Sequence, residues 1–281
     1  MEKKKERYIF PETLAEASEL LKGENVLMIS GGTTFRFRNL KNFSRIVDIS
    51  RIAPDSIEIN DKEIILGSMV RIGEILSHPV LNNVNCGILA ETASNIGSTP
   101  IRNQVTLGGN LTMIYRWSDL PVSILVLGAE IITVEGKKSK SYSAEDFYSS
   151  NPVRRLEKGE IVTNVVIPVH GNDYLFSFKT FNKTKGDFAA INAAAGYRRG
   201  AVFSDLRVAI SAISNLPVRM SALESELEGR PKDLEVIEEA INKCLPGFKV
   251  SDFRYGADYL NQVAKVMLKR ILLQGTTEVS V

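Results

Sequence analysis

Apolar and polar positions along the chain follow two different periods. In PETLAEASELLK, Leu14, Ala17, Leu20 and Leu21 recur at helical spacing, with Pro11 and Glu12 near the start and Gly23 just beyond the end. This predicts a helix closed by a glycine cap. Val26, Leu27, Met28 and Ile29 then make a continuous apolar run of strand length, and shorter β-type runs follow at 46–49, 56–59 and 63–66. Helical spacing returns from Ile72 to about Ser77 and again over ILAETASNI, and residues 105–107, Val-Thr-Leu, predict the end of a further strand. A buried helix over 120–127, a strand over 130–134, a charged hairpin tip with a short helix in GKKSKSYSAEDFY and a strand in GEIVTNVVIP complete this stretch, the last stopped by Pro168.

Gly, Asn and Asp cluster in VHGNDY, which predicts a boundary. Beyond it YLFSFKTF, AAINAAAGYRRG and SDLRVAISAIS read as three strands able to pair antiparallel, and helices are predicted over 217–227, 233–244 and 258–273. The pattern is that of a mixed helix-and-sheet chain with boundaries near residues 55 and 170.

Two of the predicted strands run into the same kind of turn. Val26 to Ile29 leads into Ser30-Gly31-Gly32-Thr33-Thr34, and Val105-Thr106-Leu107 leads into Gly108-Gly109-Asn110. Glycine permits backbone approach where a Cβ would collide, and consecutive exposed N–H groups in a tight turn form a concave site for an anion. The hydroxyls of Thr33, Thr34 and Thr106 and the amide of Asn110 add donors suited to phosphate oxygens. One such turn is explained by a tight connection alone, whereas two matched copies point to a pyrophosphate and hence a dinucleotide. The spacing is neither G-x-G-x-x-G nor G-x-x-x-x-G-K-[ST], so neither a Rossmann nor a P-loop assignment is supported.

Composition narrows the class. The 281 residues are enough for two or three compact units, and 44% apolar with 24% charged residues is ordinary for a globular protein. Lys and Arg number 35 against 33 Asp and Glu, a net +2, which provides no basic field of the kind a nucleic-acid binder uses. The basic run Lys3-Lys4-Lys5 with Arg7 reads as a short solvated lead-in. No apolar run approaches the roughly 20 residues of a membrane span and no signal-peptide core is present, so the expected location is the cytoplasm. Cys86 and Cys244 form no C-x-x-C pair and are expected as core fillers, and His78 and His170 lie far apart without clustered carboxylates, so no metal site is expected in this chain.

With these residues in place, SGGTTF at 30–35, IRNQVTLGGNL at 101–111, SDLPVSILVLGAEI at 118–131 and FKTFNKTKGDFAAINAAA at 178–195 resemble the FAD-binding (medium) subunit of the molybdenum hydroxylase family. That family includes xanthine, aldehyde and carbon monoxide dehydrogenases. Motif order and intervals match over nearly the whole chain. The resemblance implies an α+β fold of the vanillyl-alcohol-oxidase, PCMH-like type: two α/β subdomains, 1–55 and 56–170, clasp FAD, and a C-terminal antiparallel sheet with helices occupies 171–281.

Carried over residue by residue, the resemblance implies that Met28, Ile29, Ser30, Gly31, Gly32, Thr33, Thr34 and Phe35 wrap the pyrophosphate and flavin from one side, and Thr106, Leu107, Gly108, Gly109 and Asn110 from the other. Asp119 would accept hydrogen bonds from ribityl or ribose hydroxyls, with a helix N-cap as its plain structural alternative. Val162 would offer backbone near the adenine side, and Lys179 would approach the flavin unless it is simply an exposed strand lysine. Phe188, in the pair Asp187-Phe188, would lie beside the isoalloxazine unless it belongs to the core. Ile96 stands where some members place an aromatic against the flavin, Thr34 where many carry an acidic residue or serine, and MIYRWSDLP replaces a smaller segment often containing proline.

The resemblance further implies an electron-transfer subunit with no catalytic acid or base of its own. It would take electrons from the 2Fe-2S clusters of a partner, in a heterotrimer with a molybdopterin-bearing molybdenum subunit that is commonly doubled, and pass them to an external acceptor such as NAD. The alternative is a stand-alone FAD-dependent oxidoreductase of the same fold.

Overall fold

The computed structural model describes residues 7–34, 38–113, 115, 117–156, 158–247 and 254–274. The lead-in lysines Lys3 to Lys5 and Phe35 lie outside the described residues.

Three sheets are built from successive stretches of chain. The first is parallel, in the order β1 (Tyr8–Ile9), β3 (Arg45–Asp48), β2 (Val26–Ile29), and is backed by helix α1 (Leu14–Leu21). Thr13 caps α1 by accepting from the Glu16 N–H at 3.1 Å, and Ala17 and Leu21 bury against Val47 and Ile49. The second sheet is antiparallel: β4 (Ile57–Ile59), β5 (Glu63–Gly67), β8 (Glu160–Pro168), β6 (Glu130–Glu135) and β7 (Lys138–Ser143), in that order, with a register shift between Ile132 and Thr133. The third, also antiparallel, orders β12 (Val218–Arg219), β11 (Arg207–Ile210), β10 (Ile191–Arg198) and β9 (Tyr174–Phe181).

Between β5 and β6 the chain makes five helices: α2 (Ile72–Ser77), α3 (Ile88–Asn95), α4 (Thr99–Arg102), α5 (Leu107–Thr112) and α6 (Leu120–Leu127). Short helices α7 (Ala144–Tyr148) and α8 (Val153–Leu156) precede β8, and α9 (Ser221–Leu227), α10 (Leu234–Cys244) and α11 (Ala257–Leu272) cover the third sheet. Among the described residues no helix is long and apolar enough to cross a membrane.

Helix α6 is buried on every side, as its sequence LPVSILVL requires. It packs against α3 and β8 on one side and β10 and β11 on the other, so one core joins the second and third sheets. Its one polar core residue, Ser123, is paired with Thr92 of α3 at 2.7 Å.

Three readings of the sequence are corrected. The strand expected at 105–107 is absent: Thr106 makes only an isolated bridge to Arg71 and then caps α5, so Gly108, Gly109 and Asn110 lie inside a helix. Residues 218–219, expected in a helix, instead pair with β11, and α9 begins only at Ser221. Cys86 is exposed on a turn with positive φ, its thiol 3.4 Å from the Tyr174 carbonyl, and Cys244 is only half-buried at the end of α10, so neither fills a core.

Ile124 of α6 has no exposed surface. Ile124→Ala is expected to lower stability by about 2–5 kcal/mol in urea unfolding, whereas truncating Leu234, 49% exposed at the start of α10, is expected to cost less than about 0.5 kcal/mol.

Candidate cofactor site

A cavity of about 260 Å³ opens where the three sheets meet. The turn after β2 forms one wall and α5 the facing wall. The two are locked by the Ser30 and Thr106 hydroxyls, 3.1 Å apart, and by Arg71, whose Nη1 donates to the Gln104 carbonyl at 2.6 Å. Gly31 packs against that same carbonyl so closely that a Cβ would overlap it, and Gly32 takes a φ of +73° that ordinary side chains disfavour.

The two glycine turns therefore do different work. In α5 the amides are already used: Leu107 N–H donates to Val70 O and Gly108 N–H to Ser68 O, both at 2.8 Å, and Gly109 N–H donates to the Thr106 hydroxyl at 3.2 Å. Gly108 is glycine because a Cβ would lie 2.8 Å from Ser68 Cβ, a protein contact and not a ligand contact. By contrast, the amides of Gly31, Gly32, Thr33 and Thr34 donate to no group among the described residues. This first turn lines the cavity with amide donors that have no partner among the described residues, the arrangement that suits a phosphate.

Of the residues singled out from sequence, Met28, Ile29, Ser30, Gly31, Gly32, Thr33, Thr34, Ile96, Thr106, Gly108, Gly109, Asn110, Asp119, Val162 and Phe188 all line this one cavity. Two do not. The Leu107 side chain is fully buried in the central core, and Lys179 lies on β9 outside the cavity, paired with Glu91 at 3.5 Å.

Ser68, just after β5, is a wall residue that had no prior signal, and its buried hydroxyl has no partner among the described residues; the side-chain oxygen of Asn110, expected from the sequence, is likewise buried and without a partner among them. Such orphaned atoms cost free energy unless a ligand satisfies them. Asn192, wholly buried on β10, donates to the Ser118 carbonyl at 3.2 Å and fixes the turn entering α6. The signal for it was a lone Asn in the otherwise apolar run AAINAAAG.

Asp119 occupies the N-cap position of α6 but its side chain makes no capping bond; it faces the cavity at 9% exposure. Burial pushes its carboxyl up to about 7, against a smaller downward pull from the Asn192 side chain. A carboxylate so buried gains from further donors, which the hydroxyls of a polyol or ribose would supply. The residues thus fit a dinucleotide with sugar hydroxyls: free amides for phosphate, orphaned polar atoms and a buried acceptor. The histidines are elsewhere. His170 packs on Tyr174 and Phe176 with Nε2 3.1 Å from the Leu127 carbonyl, burial lowering its basicity, and His78 ends α2.

Residues 3–170 match the FAD-binding domain in molybdopterin dehydrogenase, and residues 176–275 match the CO dehydrogenase flavoprotein C-terminal domain. The chain belongs to this family of FAD-binding flavoproteins. It is 26% identical over 268 residues to the glyceraldehyde dehydrogenase medium chain of Sulfolobus acidocaldarius, covering 92% of this chain and 94% of the relative. It is 24% identical over 277 residues to the carbon monoxide dehydrogenase medium chain of Hydrogenophaga pseudoflava, covering 94% and 95%. The fold is that of a solved carbon monoxide dehydrogenase from Hydrogenophaga pseudoflava, with a TM-score of 0.84, 24% identity and 94% of each chain covered. It is equally that of quinoline 2-oxidoreductase from Pseudomonas putida 86, with a TM-score of 0.83, 24% identity and 95% of each chain covered. The α+β flavoprotein fold implied by the sequence resemblance is thus the observed one, and the protein is an oxidoreductase subunit of the molybdenum hydroxylase family with FAD as its cofactor.

Because the folded pKa of Asp119 lies above its unfolded value of about 3.9, the folded FAD-free chain binds one more proton than the unfolded chain between those values, and stability falls as pH rises through that window. Asp119→Asn is expected to match the wild type near pH 4 and to exceed it by up to about 4 kcal/mol at pH 8, measured by urea unfolding of FAD-free protein.

Proposed function

We propose that this chain binds FAD in the cavity between the β2 turn and α5 and relays electrons from the 2Fe-2S clusters of a partner subunit to an external acceptor such as NAD. The units 1–55 and 56–170 would grip the cofactor and 171–281 would close its far side. The observation that carries the reading is the set of unengaged amides at Gly31, Gly32, Thr33 and Thr34 on the same cavity as the orphaned Ser68 and Asn110 atoms and the acceptor Asp119.

In this reading the amides of residues 31–34 hold the pyrophosphate, Asp119 accepts from sugar hydroxyls with Asn192 fixing the turn beside it, and Ile96, Val162 and Phe188 exclude water from the ring systems. Bound FAD supplies two-electron storage with one-electron exchange, chemistry that belongs to the cofactor. The cavity wall carries no histidine, and its buried carboxyl Asp119 is assigned to binding, so substrate oxidation is placed on a molybdopterin-bearing partner. A heterotrimer of flavin, iron–sulfur and molybdenum subunits, doubled and cytoplasmic, accommodates this division of labour, and the medium and alpha or beta subunits named among the relatives support it.

Stopped-flow reduction separates the relay from a stand-alone oxidoreductase. The FAD-loaded chain alone is expected to show no flavin bleaching by purines, aldehydes or nicotinate on the turnover timescale, while the complex with its iron–sulfur and molybdenum subunits bleaches with its own substrate. Rapid bleaching of the isolated chain by an organic substrate overturns the relay.

A further inference from the structure

The cavity changes character along its length. One end closes on the aliphatic side chains of Leu21, Val26 and Ile49 with a single ring, Phe43. The opposite end is walled by three aromatic rings contributed by two distant stretches of chain, Tyr115 and Trp117 before α6 and Phe188 before β10. Tyr115 and Trp117 stack in parallel, with centroids 4.7 Å apart and planes 1° apart, and Phe188 leans on Trp117 at 4.8 Å and 35°. Trp117 is the central ring of the three and the only tryptophan in the chain.

Phe188 is 43% exposed, so this end opens to solvent, whereas Leu21 and Ile49 in the aliphatic group are buried and Val26 and Phe43 half-buried. The loop carrying Phe188 is held from the far end of the chain. Arg254 donates from Nη1 to the Phe188 carbonyl at 2.7 Å and from Nη2 to the Ala189 carbonyl at 3.4 Å, and it pairs with Asp187 at 3.5 Å.

We propose that Trp117 is the ring contact for the isoalloxazine, with Tyr115 and Phe188 holding the indole in place. The inference rests on the FAD reading above. A ring that exchanges electrons with groups outside the chain has to sit at the open end of the cavity, and adenine does not. Isoalloxazine is a broad, electron-poor ring system, and indole is the most electron-rich side-chain ring, so stacked or edge contact between them is favourable beyond the area buried. Ile96 and Ile101, also on the cavity wall, are aliphatic and offer no such contact. Trp117 is therefore the side chain that sets the environment of the flavin ring.

The single tryptophan makes the test direct. FAD-free protein is titrated with FAD and, separately, with ADP, which carries the adenine and phosphates without the flavin. Flavin emission of the bound cofactor is then compared between wild type and Trp117→Leu. The proposal expects ring contact to quench bound flavin, so that Trp117→Leu raises its emission about threefold or more and weakens FAD binding about two- to tenfold, the range of one aromatic pair. ADP should leave Trp117 emission unchanged. Chemical oxidation of Trp117 by N-bromosuccinimide in the wild-type protein gives a second readout that needs no variant, with FAD expected to protect the indole and ADP not. Unchanged flavin emission in FAD-loaded Trp117→Leu, or ADP alone perturbing or protecting Trp117, overturns the assignment, the latter by placing adenine at this end. If wild-type protein binds no FAD at all, it is the cofactor reading that has failed and this inference with it.

Discussion

The junction between the turn after β2 and the segment leading into α5 is the contact on which the site depends. Gly31 approaches the Gln104 carbonyl too closely for any side chain, Arg71 ties that carbonyl from the other direction at 2.6 Å, and the hydroxyls of Ser30 and Thr106 close the gap at 3.1 Å. Because Thr106 is also the cap of α5, one hydroxyl both starts the helix and holds it against the turn after β2. The cavity is the space left behind this junction. Its two walls come from segments 76 residues apart in sequence at this contact, and they meet again where Arg38 Nη2 donates to Met113 Sδ at 3.7 Å.

The division of labour between the two glycine turns follows from the same packing. The α5 amides are consumed by Ser68, Val70 and Thr106, so that segment is a rigid wall, and the amides free to meet an anion belong to residues 31–34. Across the cavity, Asp119 and Asn192 form a second buried polar group, stiffened by α6, which is apolar all round and anchored in the core shared by the second and third sheets. The turn carrying those amides thus lines the same cavity as a preformed, core-borne acceptor.

Much of this was legible in the sequence because local periodicity and tertiary burial agree. The apolar runs at Val26–Ile29 and Glu160–Pro168, the helical spacing of Leu14–Leu21 and the wholly apolar LPVSILVL are each found where their patterns place them. The segment at 105–112 was not legible as a helix. Val105-Thr106-Leu107 favours extended backbone locally and two glycines follow, and what makes the helix is the Thr106 cap together with amide bonds to Ser68 and Val70, partners set by the tertiary fold. The matched glycine turns do line one cavity, but the spacing could not show that one of them serves packing. Ser68 and the Tyr115-Trp117 pair were not legible because nothing in their neighbours distinguishes a wall residue from an ordinary loop residue, and Asn192, which supports the turn at Ser118 from β10, was marked only as the lone Asn among alanines.

The most direct test of the account is the thermal unfolding midpoint of the chain as a function of added cofactor. A ligand that binds only the folded state stabilises it by RT ln(1 + [L]/Kd), so the account predicts a midpoint that climbs steadily with the logarithm of FAD concentration above its Kd and does so far less with FMN, which lacks the pyrophosphate bridge and adenosine. A midpoint indifferent to FAD, or raised equally by FMN, would contradict it.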